Sequence, residues 1–479
     1  MTKKDLVKIN DYLWEIPRKF RSDMKRPARA YLSEKMLEDS FEDKSLEQLI
    51  NIATLPGLQK YALAMPDMHE GYASPIGGVA AIRTSDGIIS PGMCGYDINC
   101  GMRLLKSEQT EKEIGAYLDR LATEIQSQVP SGLGRGRKIK LTVEQIDKIL
   151  EGGTPILLKQ GYGQKEDVEY CEAGGRLNWA DSQVVSERAK NRGRDQVGTL
   201  GSGNHFLEVQ KVAQIFDSEA AKAFGLFQEQ AVVMIHTGSR GLGHQVCTDY
   251  LRTMIPAMEK YKIKVPDKEF ACVPFNSSEG QRYFGAMAAA ANYAWANRQM
   301  IAYYLDRAWQ KVLGPKEKLI SLYDVAHNII KKEKYLINGE ETEVIVHRKG
   351  ATRAFPPNHP EIPAGYRSVG QPVLIPGSMG TSSYVLVGTK EGEDSFFSTC
   401  HGAGRTMSRH AARRRIPGLE VVRRLEEKGI IIKCRSPRGI AEEAPLAYKN
   451  IDNVIEVVHQ AGLSRKVARL TPLAVIKGE

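Results

Sequence analysis

The sequence predicts a single large α+β domain spanning residues 1–479. Hydrophobic residues make up 42% of the chain and charged residues 26%, which is ordinary globular composition. Helical and strand-like segments are mixed, without the regular alternation of strand and helix that repeated βαβ units would show. We find no internal repeat, low-complexity linker or abrupt change in composition that would mark a domain boundary. A chain of 479 residues can bury a large hydrophobic core.

Helices and strands are predicted at four places. Thr110 and Glu113 form a capping-box pattern, and apolar residues at helical spacing after them predict a helix over residues 110–129. Residues 282–313 are rich in alanine and aromatic residues, which predicts a long, mostly buried helix. Short β-branched, apolar runs at residues 231–235 and 384–387 predict strands.

The charge of the chain favours polyanionic partners. The formal net charge is +10. Residues 405–438, called the basic segment below, carry eleven Lys or Arg and three Glu, a net charge of +8. Such a stretch can be a solvated helix face. Because it directly follows a histidine–glycine motif, a contact surface for a phosphate backbone is the alternative, with Arg405, Arg409, Arg413, Arg414 and Arg415 as candidates.

The sequence predicts a cytoplasmic protein without membrane contact. Its seven cysteines are scattered and include no CxxC pair, which favours a reducing compartment over a disulfide framework. The first residues lack the apolar core of a signal peptide, and no apolar run is long enough to span a bilayer.

The histidines lie where a functional site would need them. Of ten histidines, His205, His236, His327 and His401 lie at the edges of glycine or small-residue clusters, and His69 lies in MPDMHEG. Glycine beside a functional side chain lets a phosphate or another backbone approach closely. These five are therefore candidates for a common cleft.

A second feature is the GYDINCG segment. Asp97 and Cys100 are three residues apart, so both side chains can face one point within a single turn. Together with imidazoles they form a plausible metal-ligand set, and a thiolate can bridge two ions. Zinc is the default for Cys and His, whereas a carboxylate and bound phosphates favour manganese or magnesium. A buried, inert Cys100 among hydrogen-bonded core histidines is the other interpretation.

A third feature is the glycine–serine loop at residues 376–383, PGSMGTSS. It could offer backbone amides to an anion, although such loops are also common turns. The chain lacks a GxxxxGK[ST] phosphate loop, a GxGxxG fingerprint and the Lys-x-Asp-Gly motif of common nucleotidyl-transferring ligases. A covalent nucleotidyl transfer would therefore need another nucleophile, and a histidine can serve.

Eight motifs occur in one order along the chain: MPDMHEG, GYDINCG, GSGNHFLEV, HTGSRGLGHQV, DVAHN, HRKGATRAFPP, PGSMGTSSYVL and HGAGR. Because of these motifs and their order, the chain from about residue 10 onward closely resembles the RtcB-type RNA ligases. That family joins an RNA 3′-phosphate or 2′,3′-cyclic phosphate to a 5′-hydroxyl end. Its members have a fold of their own, a single α+β domain.

The resemblance implies roles for individual residues. His401 matches the histidine that becomes guanylylated, and Cys100 looks like a thiolate bridging two Mn²⁺ ions. The matched metal ligands are Asp97, Cys100, His205, His236 and His327. The matched GTP contacts are Asn204, His205, Phe206, Leu207, Glu208, His327, Asn328, Pro376, Gly377, Ser378, Met379, Ser383, His401, Gly402, Ala403, Gly404 and Lys477. Glu208 would read guanine, because a carboxylate accepts hydrogen bonds from its N1 and N2 donors.

The resemblance also implies a GTP- and Mn²⁺-dependent reaction on RNA, either tRNA halves or broken RNA, with an archease-type activator as a possible further partner. Two alternatives use the same residues differently. A dinuclear metal-dependent phosphodiesterase acting on RNA would need the metal ligands but neither His401 nor a nucleotide. A non-catalytic RNA-binding protein would need the basic segment and a structural metal set.

Overall fold

The structure, a computed structural model, describes residues 1–132, 136–137, 140–434 and 436–478. The strands are, in chain order, β1 (Val7–Asn10), β2 (Leu13–Ile16), β3 (Ala28–Tyr31), β4 (Leu58–His69), β5 (Ile76–Arg83), β6 (Ile88–Ile89), β7 (Gly101–Thr110), β8 (Phe206–Ile215), β9 (Gln230–Thr237), β10 (Val273–Pro274), β11 (Ile320–Ala326), β12 (Asn328–Ile337), β13 (Glu340–Lys349), β14 (Ala351–Arg353), β15 (Pro372–Ile375), β16 (Ser383–Gly388), β17 (Ser398–Cys400), β18 (Ile431–Cys434) and β19 (Ser464–Lys477). The helices are α1 (Glu34–Asp39), α2 (Ser45–Ile52), α3 (Glu111–Ile114), α4 (Leu118–Gln128), α5 (Val143–Lys159), α6 (Glu166–Glu169), α7 (Glu187–Gly193), α8 (Ser218–Phe224), α9 (Arg240–Lys260), α10 (Ser278–Leu313), α11 (Arg409–Arg415), α12 (Gly418–Glu426), α13 (Pro437–Glu442) and α14 (Ile451–Gln460).

Two large sheets, both mainly antiparallel, organise these elements. One has the strand order β1-β2-β3-β4-β5-β13-β12, in which only β3 and β4 pair in parallel. The other has the order β11-β7-β9-β8-β19-β16-β15, and β18 pairs in parallel with β19. The chain passes from the second sheet to the first at His327, between β11 and β12. The predicted α+β class is confirmed.

The second sheet is buried on both faces, which the sequence of β9 explains. Side chains alternate along a strand. Ala231, Val233 and Ile235 pack with α4 and the second half of α10, whereas Val232 and Met234 pack with α8 on the opposite face. A strand buried on both faces reads as a continuous apolar run rather than an alternating one. The predicted strand at residues 231–235 is confirmed and extends to His236 and Thr237.

Helix α10 joins the two cores. Residues 286–291 in its first half are alanines and one methionine, and they pack in the core beside the first sheet. Its second half packs against the second sheet. The helix begins at Ser278, four residues before the predicted start, because the Ser277 side chain caps it by accepting from the Gly280 N–H.

The other predicted elements are found with one change. The Thr110–Glu113 capping box forms, and β16 contains the predicted strand at residues 384–387. The helix predicted over residues 110–129 is interrupted by a 3-10 turn at Gly115–Tyr117, between α3 and α4. Glycine weakens a helix interior, which accounts for a break at this point.

All seven cysteines lie in described parts of the chain, and none forms a disulfide. Among the described helices, none combines the length and apolar character needed to cross a bilayer.

Candidate metal and nucleotide site

The register of the second sheet brings the predicted metal ligands to one edge. In the β11-β7-β9 pairing, Gly101 lies opposite both Ala326 and Thr237. In the next pair, Phe206 lies opposite His236. The residues that precede or follow these positions therefore meet at the same end of four neighbouring strands. They are Cys100 before β7, His205 before β8, His236 near the end of β9, and His327 after β11.

Their ligand atoms converge. Cys100 Sγ lies 3.3 Å from His236 Nε2 and 3.5 Å from His205 Nε2. His205 Nε2 lies 2.8 Å from Asp97 Oδ2, and His236 Nε2 lies 3.4 Å from His327 Nε2. Two groups of three result, Asp97–Cys100–His205 and Cys100–His236–His327, each with its ligand atoms within 4.8 Å of one another. The five predicted ligands thus form two half-sites that share one thiol.

The electrostatics of this cluster suit a bound cation. Burial lowers the pKa of His236 and of His327 well below the ordinary value, so both imidazoles are neutral and keep a lone pair. Burial raises the pKa of the Cys100 thiol, and the nearby Asp97 carboxylate raises it further. Burial also disfavours the charge on Asp97, but the hydrogen bond and charge of His205 and the charge of Arg240 together outweigh burial, and the Asp97 pKa is lowered. Neutral imidazoles, a thiol and a carboxylate with few compensating charges fit divalent metal ions.

His401 lies beside this cluster, held by a buried carboxylate. It follows β17, and its ring centroid is 4.9 Å from that of His327. Asp67 Oδ2 lies 2.5 Å from His401 Nδ1 and also accepts the backbone N–H groups of His401 and Gly402 at 3.0 and 3.2 Å. A carboxylate can only accept, so the proton is assigned to Nδ1 and the lone pair to Nε2. That tautomer is the one a nucleophilic histidine requires.

Asp67 is a candidate functional residue that the sequence interpretation missed. Burial raises its pKa, but the His401 imidazole and backbone N–H outweigh burial, and the net pKa is lowered. The available signal was its place in MPDMHEG, two residues before His69. His69 itself lines the same cavity as His401, and burial lowers its pKa to about 4.

Close packing explains one glycine of the HGAGR motif. Gly404 has φ 75°, and a Cβ added there would lie 2.2 Å from the backbone oxygen of Asp67. Only glycine fits both the backbone conformation and the contact. The turn after His401 therefore packs closely against β4, the strand that contains Asp67.

A cavity of about 240 Å³ is lined both by His401 and by four of the five candidate metal ligands. Most of the predicted nucleotide contacts line it: Asn204, Phe206, His327, Asn328, Pro376, Gly377, Ser378, Met379, His401, Gly402, Ala403, Gly404 and Lys477. The other four, His205, Leu207, Glu208 and Ser383, are not among the residues that line it. Each is nonetheless buried at its border, either on β8 and the turn before it or at the start of β16.

Glu208 is linked to the glycine–serine loop by a chain of hydrogen bonds. The Gln210 side-chain amide donates to Glu208 Oε2 at 2.7 Å and to Ser383 Oγ at 3.0 Å. Ser383 Oγ in turn accepts from the Gly377 N–H at 3.3 Å. Burial raises the pKa of Glu208 to about 7. The carboxyl is thus connected to the loop and titrates near neutral pH.

The glycine–serine loop bonds its own backbone amides, which favours the turn over the anion cradle among the two interpretations of its sequence. The N–H of Gly377 donates to Ser383, and that of Ser378 donates to Thr381 Oγ1 at 2.7 Å. Thr381 also closes the turn through its own N–H to the Ser378 carbonyl. Because hydroxyl side chains within the loop satisfy these amides, a phosphate would have to displace them or use other donors.

Acidic residues just beyond the basic segment offset part of its charge. Glu443 accepts from Arg405 at 3.1 Å and from Arg409 at 3.0 Å, and Glu442 pairs with Arg413 at 3.2 Å. These glutamates follow residue 438, so the charge count from the sequence excluded them. Arg405 and Arg409 still line the cavity. Arg435 and the Arg438 side chain lie outside the described residues.

Known proteins are similar to this chain over nearly all of its length. A family model described as "tRNA-splicing ligase RtcB" matches residues 48–478. The chain belongs to the RtcB family. It is 50% identical over 477 residues to the "tRNA-splicing ligase RtcB" of Thermococcus kodakarensis, covering 99% of each chain. The corresponding protein of Aeropyrum pernix is 51% identical over 476 residues, covering 98% of this chain and 99% of its own. The "RNA-splicing ligase RtcB" of Mycobacterium bovis is 51% identical over 438 residues, covering 90% of this chain and all of its own.

Membership of the RtcB family confirms the resemblance noted in the sequence. The matched segment contains both half-sites, His401 and the glycine–serine loop. The chain thus has the motifs of this family, and its structure brings the candidate metal ligands and His401 into one cavity.

Proposed function

We propose that this chain is an RNA ligase that uses GTP and two Mn²⁺ ions to join RNA 3′-phosphate or 2′,3′-cyclic phosphate ends to 5′-hydroxyl ends. The reaction passes through GMP bound covalently to His401. One observation carries the proposal: a histidine with Nδ1 held by Asp67 lies in the same cavity as two metal half-sites that share a thiol. The names of the relatives, tRNA-splicing and RNA-splicing ligase, support the substrate class.

The metal sites follow from the donor groups. Asp97, Cys100 and His205 would hold one ion, and Cys100, His236 and His327 the other. The carboxylate and the bound phosphates favour manganese over zinc in these positions. When bound, the ions would neutralise phosphate charge and polarise phosphorus–oxygen bonds.

The chain's own residues account for the chemical steps. A cyclic end, when present, is first hydrolysed to the 3′-phosphate. The lone pair of His401 Nε2 then attacks the α-phosphorus of GTP, a P–N bond forms, and pyrophosphate leaves. Asp67 stabilises the positive charge that develops on the ring by accepting from Nδ1–H.

In the next step GMP is transferred to RNA, and the P–N bond formed in the first step is broken. An oxygen of the RNA 3′-phosphate attacks the GMP phosphorus, and the P–N bond breaks to return neutral His401. The 5′-hydroxyl oxygen next attacks the RNA 3′-phosphorus, GMP leaves, and the hydroxyl proton passes to solvent. Each step is an in-line displacement at phosphorus, so positioning and electrostatics provide most of the rate enhancement.

The GTP contacts proposed are those of the family resemblance: Asn204, His205, Phe206, Leu207, Glu208, His327, Asn328, Pro376, Gly377, Ser378, Met379, Ser383, His401, Gly402, Ala403, Gly404 and Lys477. Burial lowers the pKa of Lys477, while Glu443 and Glu208 partly counteract burial. The proposal also includes one catalytic domain over residues 1–479, a cytoplasmic location, tRNA halves or broken RNA as substrate, and an archease-type activator.

The assay that tests the function uses two RNA strands, one ending in a 3′-phosphate and one beginning with a 5′-hydroxyl. A ligase converts them to a longer product only when both GTP and Mn²⁺ are present. A phosphodiesterase would instead shorten RNA with metal alone, and an RNA-binding protein would leave the strands unchanged. Either of those outcomes contradicts the proposal.

Glu208 should make guanine binding dependent on pH. Its pKa is about 7, and the ionised carboxylate is the form that accepts from guanine N1 and N2. Guanosine affinity should therefore be about half its full value near pH 7, approach the full value as the pH rises further, and fall as the pH drops, by about tenfold per unit well below the pKa. Calorimetry with guanosine, which has no titrating phosphate, measures this directly.

The matched variant is Glu208→Gln, which should bind guanosine weakly and with no pH dependence between pH 5 and 8. Adenosine binding to the wild-type protein should stay weak throughout, because adenine N1 is an acceptor. Equal pH dependence in the wild-type protein and the variant would exclude Glu208 as the base reader.

The basic segment should contact RNA phosphates. Arg409 and Arg413 keep exposed side chains despite their ion pairs, at 52% and 44% exposure. Changing both to alanine should weaken RNA binding and lower its salt slope by roughly one unit per lost contact. Guanylylation without RNA should persist. The control changes Arg423 and Arg424, which both pair with Glu420 of their own helix α12. If both double variants show the wild-type salt slope, the segment is a solvated surface.

A further inference from the structure

A single buried arginine connects the chain segments that carry three of the candidate metal ligands. Arg298 lies near the middle of α10, and its side chain is completely buried. Nothing in the reaction proposed above uses it. Its position under the edge where β7, β9 and β11 meet suggests a role in arranging that edge.

All three nitrogens of the Arg298 guanidinium donate hydrogen bonds to buried acceptors. Nη1 donates to the backbone oxygens of Asn99 at 2.8 Å and Thr237 at 2.9 Å. Nη2 donates to Asn99 Oδ1 at 3.0 Å. Nε donates to both carboxylate oxygens of Asp324, at 3.0 Å each, and Nη2 lies 2.9 Å from Asp324 Oδ1 in the same ion pair. The planar fork of arginine is what allows two carbonyls and a carboxylate to be contacted at once.

Each contacted residue is close in sequence to a candidate ligand. Asn99 directly precedes Cys100, Thr237 directly follows His236, and Asp324 lies three residues before His327. These three ligands are the members of one half-site. Arg298 therefore contacts every segment of that half-site, although it contacts none of the ligand atoms.

Asn99 is held in an uncommon conformation by the same set of bonds. Its φ is 52°, in the left-handed region. Its N–H donates to the Asn328 carbonyl at 2.6 Å, and its side-chain amide donates to the Ala291 carbonyl at 2.7 Å. With both oxygens accepting from Arg298, every polar group of Asn99 is engaged. The direction of the next side chain, Cys100, depends on this arrangement.

The other half-site has separate support for its carboxylate. Asp97 Oδ1 accepts from the Ser239 N–H at 2.9 Å, and the Asp97 backbone oxygen accepts from the Asn328 side chain at 3.1 Å. Neither contact involves Arg298. A change at Arg298 should thus affect the two half-sites unequally.

We infer that Arg298 is a positioning residue that sets the geometry of the Cys100–His236–His327 half-site. It does so by fixing the backbone next to two ligands and the carboxylate near the third. The inference rests on the proposed function to the extent that this half-site holds an ion. It predicts a loss of metal at one half-site without loss of the fold.

The test is Arg298→Lys, compared with Arg103→Lys. Arg103 is equally buried and also lies close to Asp324, with its Nε 3.7 Å from Oδ2. It donates to the Gln299 side chain and the Asp167 backbone, and it shares with Arg298 only the contact to Asp324, not those to Asn99 and Thr237. Lysine keeps the charge but lacks the fork. Mn²⁺ binding isotherms and electron paramagnetic resonance of the metal-loaded proteins report the number of ions, their affinities and their magnetic coupling.

We expect wild-type protein and Arg103→Lys to bind two coupled ions. Arg298→Lys should bind the ion at Asp97–Cys100–His205 only slightly more weakly, because that half-site shares Cys100 but has its own support at Asp97. The ion at the other half-site should bind about tenfold to 100-fold more weakly, as is usual when a residue supporting a ligand is lost. Its signal should be that of an isolated Mn²⁺. Circular dichroism and thermal unfolding of the metal-free proteins establish that both variants fold.

Other results overturn the inference. A folded Arg298→Lys with two wild-type ions means that Arg298 does not position the half-site. Equal loss of metal in both lysine variants means a general role in stability. If Arg298→Lys does not fold, Asn99→Gly decides, because glycine tolerates the positive φ while removing the Asn99 side-chain contacts; normal binding of both ions by that variant also refutes the inference. Failure of the wild-type protein to bind Mn²⁺ at all would instead count against the proposed function.

Discussion

Replacing His401 by alanine is expected to abolish covalent GMP attachment while leaving metal and GTP binding in place. The imidazole is the proposed nucleophile, and removing a nucleophile from a set of groups that act together costs on the order of 10⁴-fold or more in rate. We do not expect His205, His236 or His327 to replace it, because the Nε2 atom of each lies among the candidate metal ligands. Incubation with α-labelled GTP and Mn²⁺ measures the adduct directly.

The same variant should still join an RNA whose 3′ end already carries GMP, because that last step needs no histidine adduct. The matched control is His410→Ala, an exposed histidine on α11 that should label normally. A His401→Ala protein that acquires acid-labile label, or that cannot join pre-activated RNA although it binds Mn²⁺, would contradict the assigned role.

Replacing Cys100 by alanine should have the second-largest effect and should disturb both metal half-sites. The thiol belongs to both groups of ligands, so its loss leaves each group with two donors. We expect Mn²⁺ affinity to fall by at least about 100-fold, beyond the usual effect of losing a residue that only supports a ligand. Nucleotide transfer should be lost with it.

Elemental analysis of the purified variant measures this loss. Cys247→Ala provides the control, since Cys247 is also fully buried but belongs to neither half-site. Full manganese occupancy in Cys100→Ala would show that the thiol is not a shared ligand. This outcome also differs from that expected for Arg298→Lys, which should retain one ion.

Local patterns predicted secondary structure well where one interaction determines it. The Thr110–Glu113 capping box forms because its partners are three residues apart. The apolar run of β9 becomes a doubly buried strand. Gly115 illustrates the limit of such patterns, because apolar spacing alone suggested one continuous helix across it.

Convergence of the site could be suspected from the sequence, but residue spacing alone could not establish it. Asp97 and Cys100 are near neighbours in the chain, whereas their meeting with His205, His236 and His327 depends on strand register. The resemblance to the RtcB-type ligases, rather than residue spacing, indicated that these five residues form one set of ligands. Asp67 was overlooked because its partner, His401, is 334 residues away.

Side-chain partners also changed two expectations from the sequence. Hydroxyl groups of Thr381 and Ser383 satisfy loop amides that the sequence offered to an anion. Glu442 and Glu443 pair with arginines counted as free positive charge. Both corrections depend on which polar groups meet in the folded chain, which a charge count or a glycine pattern does not contain.

His401 is proposed to carry GMP during the reaction, and peptide mapping of the labelled wild-type protein determines whether it does. The protein is incubated with GTP and Mn²⁺ without RNA, digested, and the modified peptide identified by mass spectrometry. We expect one GMP on the peptide containing His401, linked by a bond that acid cleaves and alkali does not, as is typical of a phosphoramidate. GMP on any other residue, or no covalent adduct from protein that binds both Mn²⁺ and GTP, would contradict it.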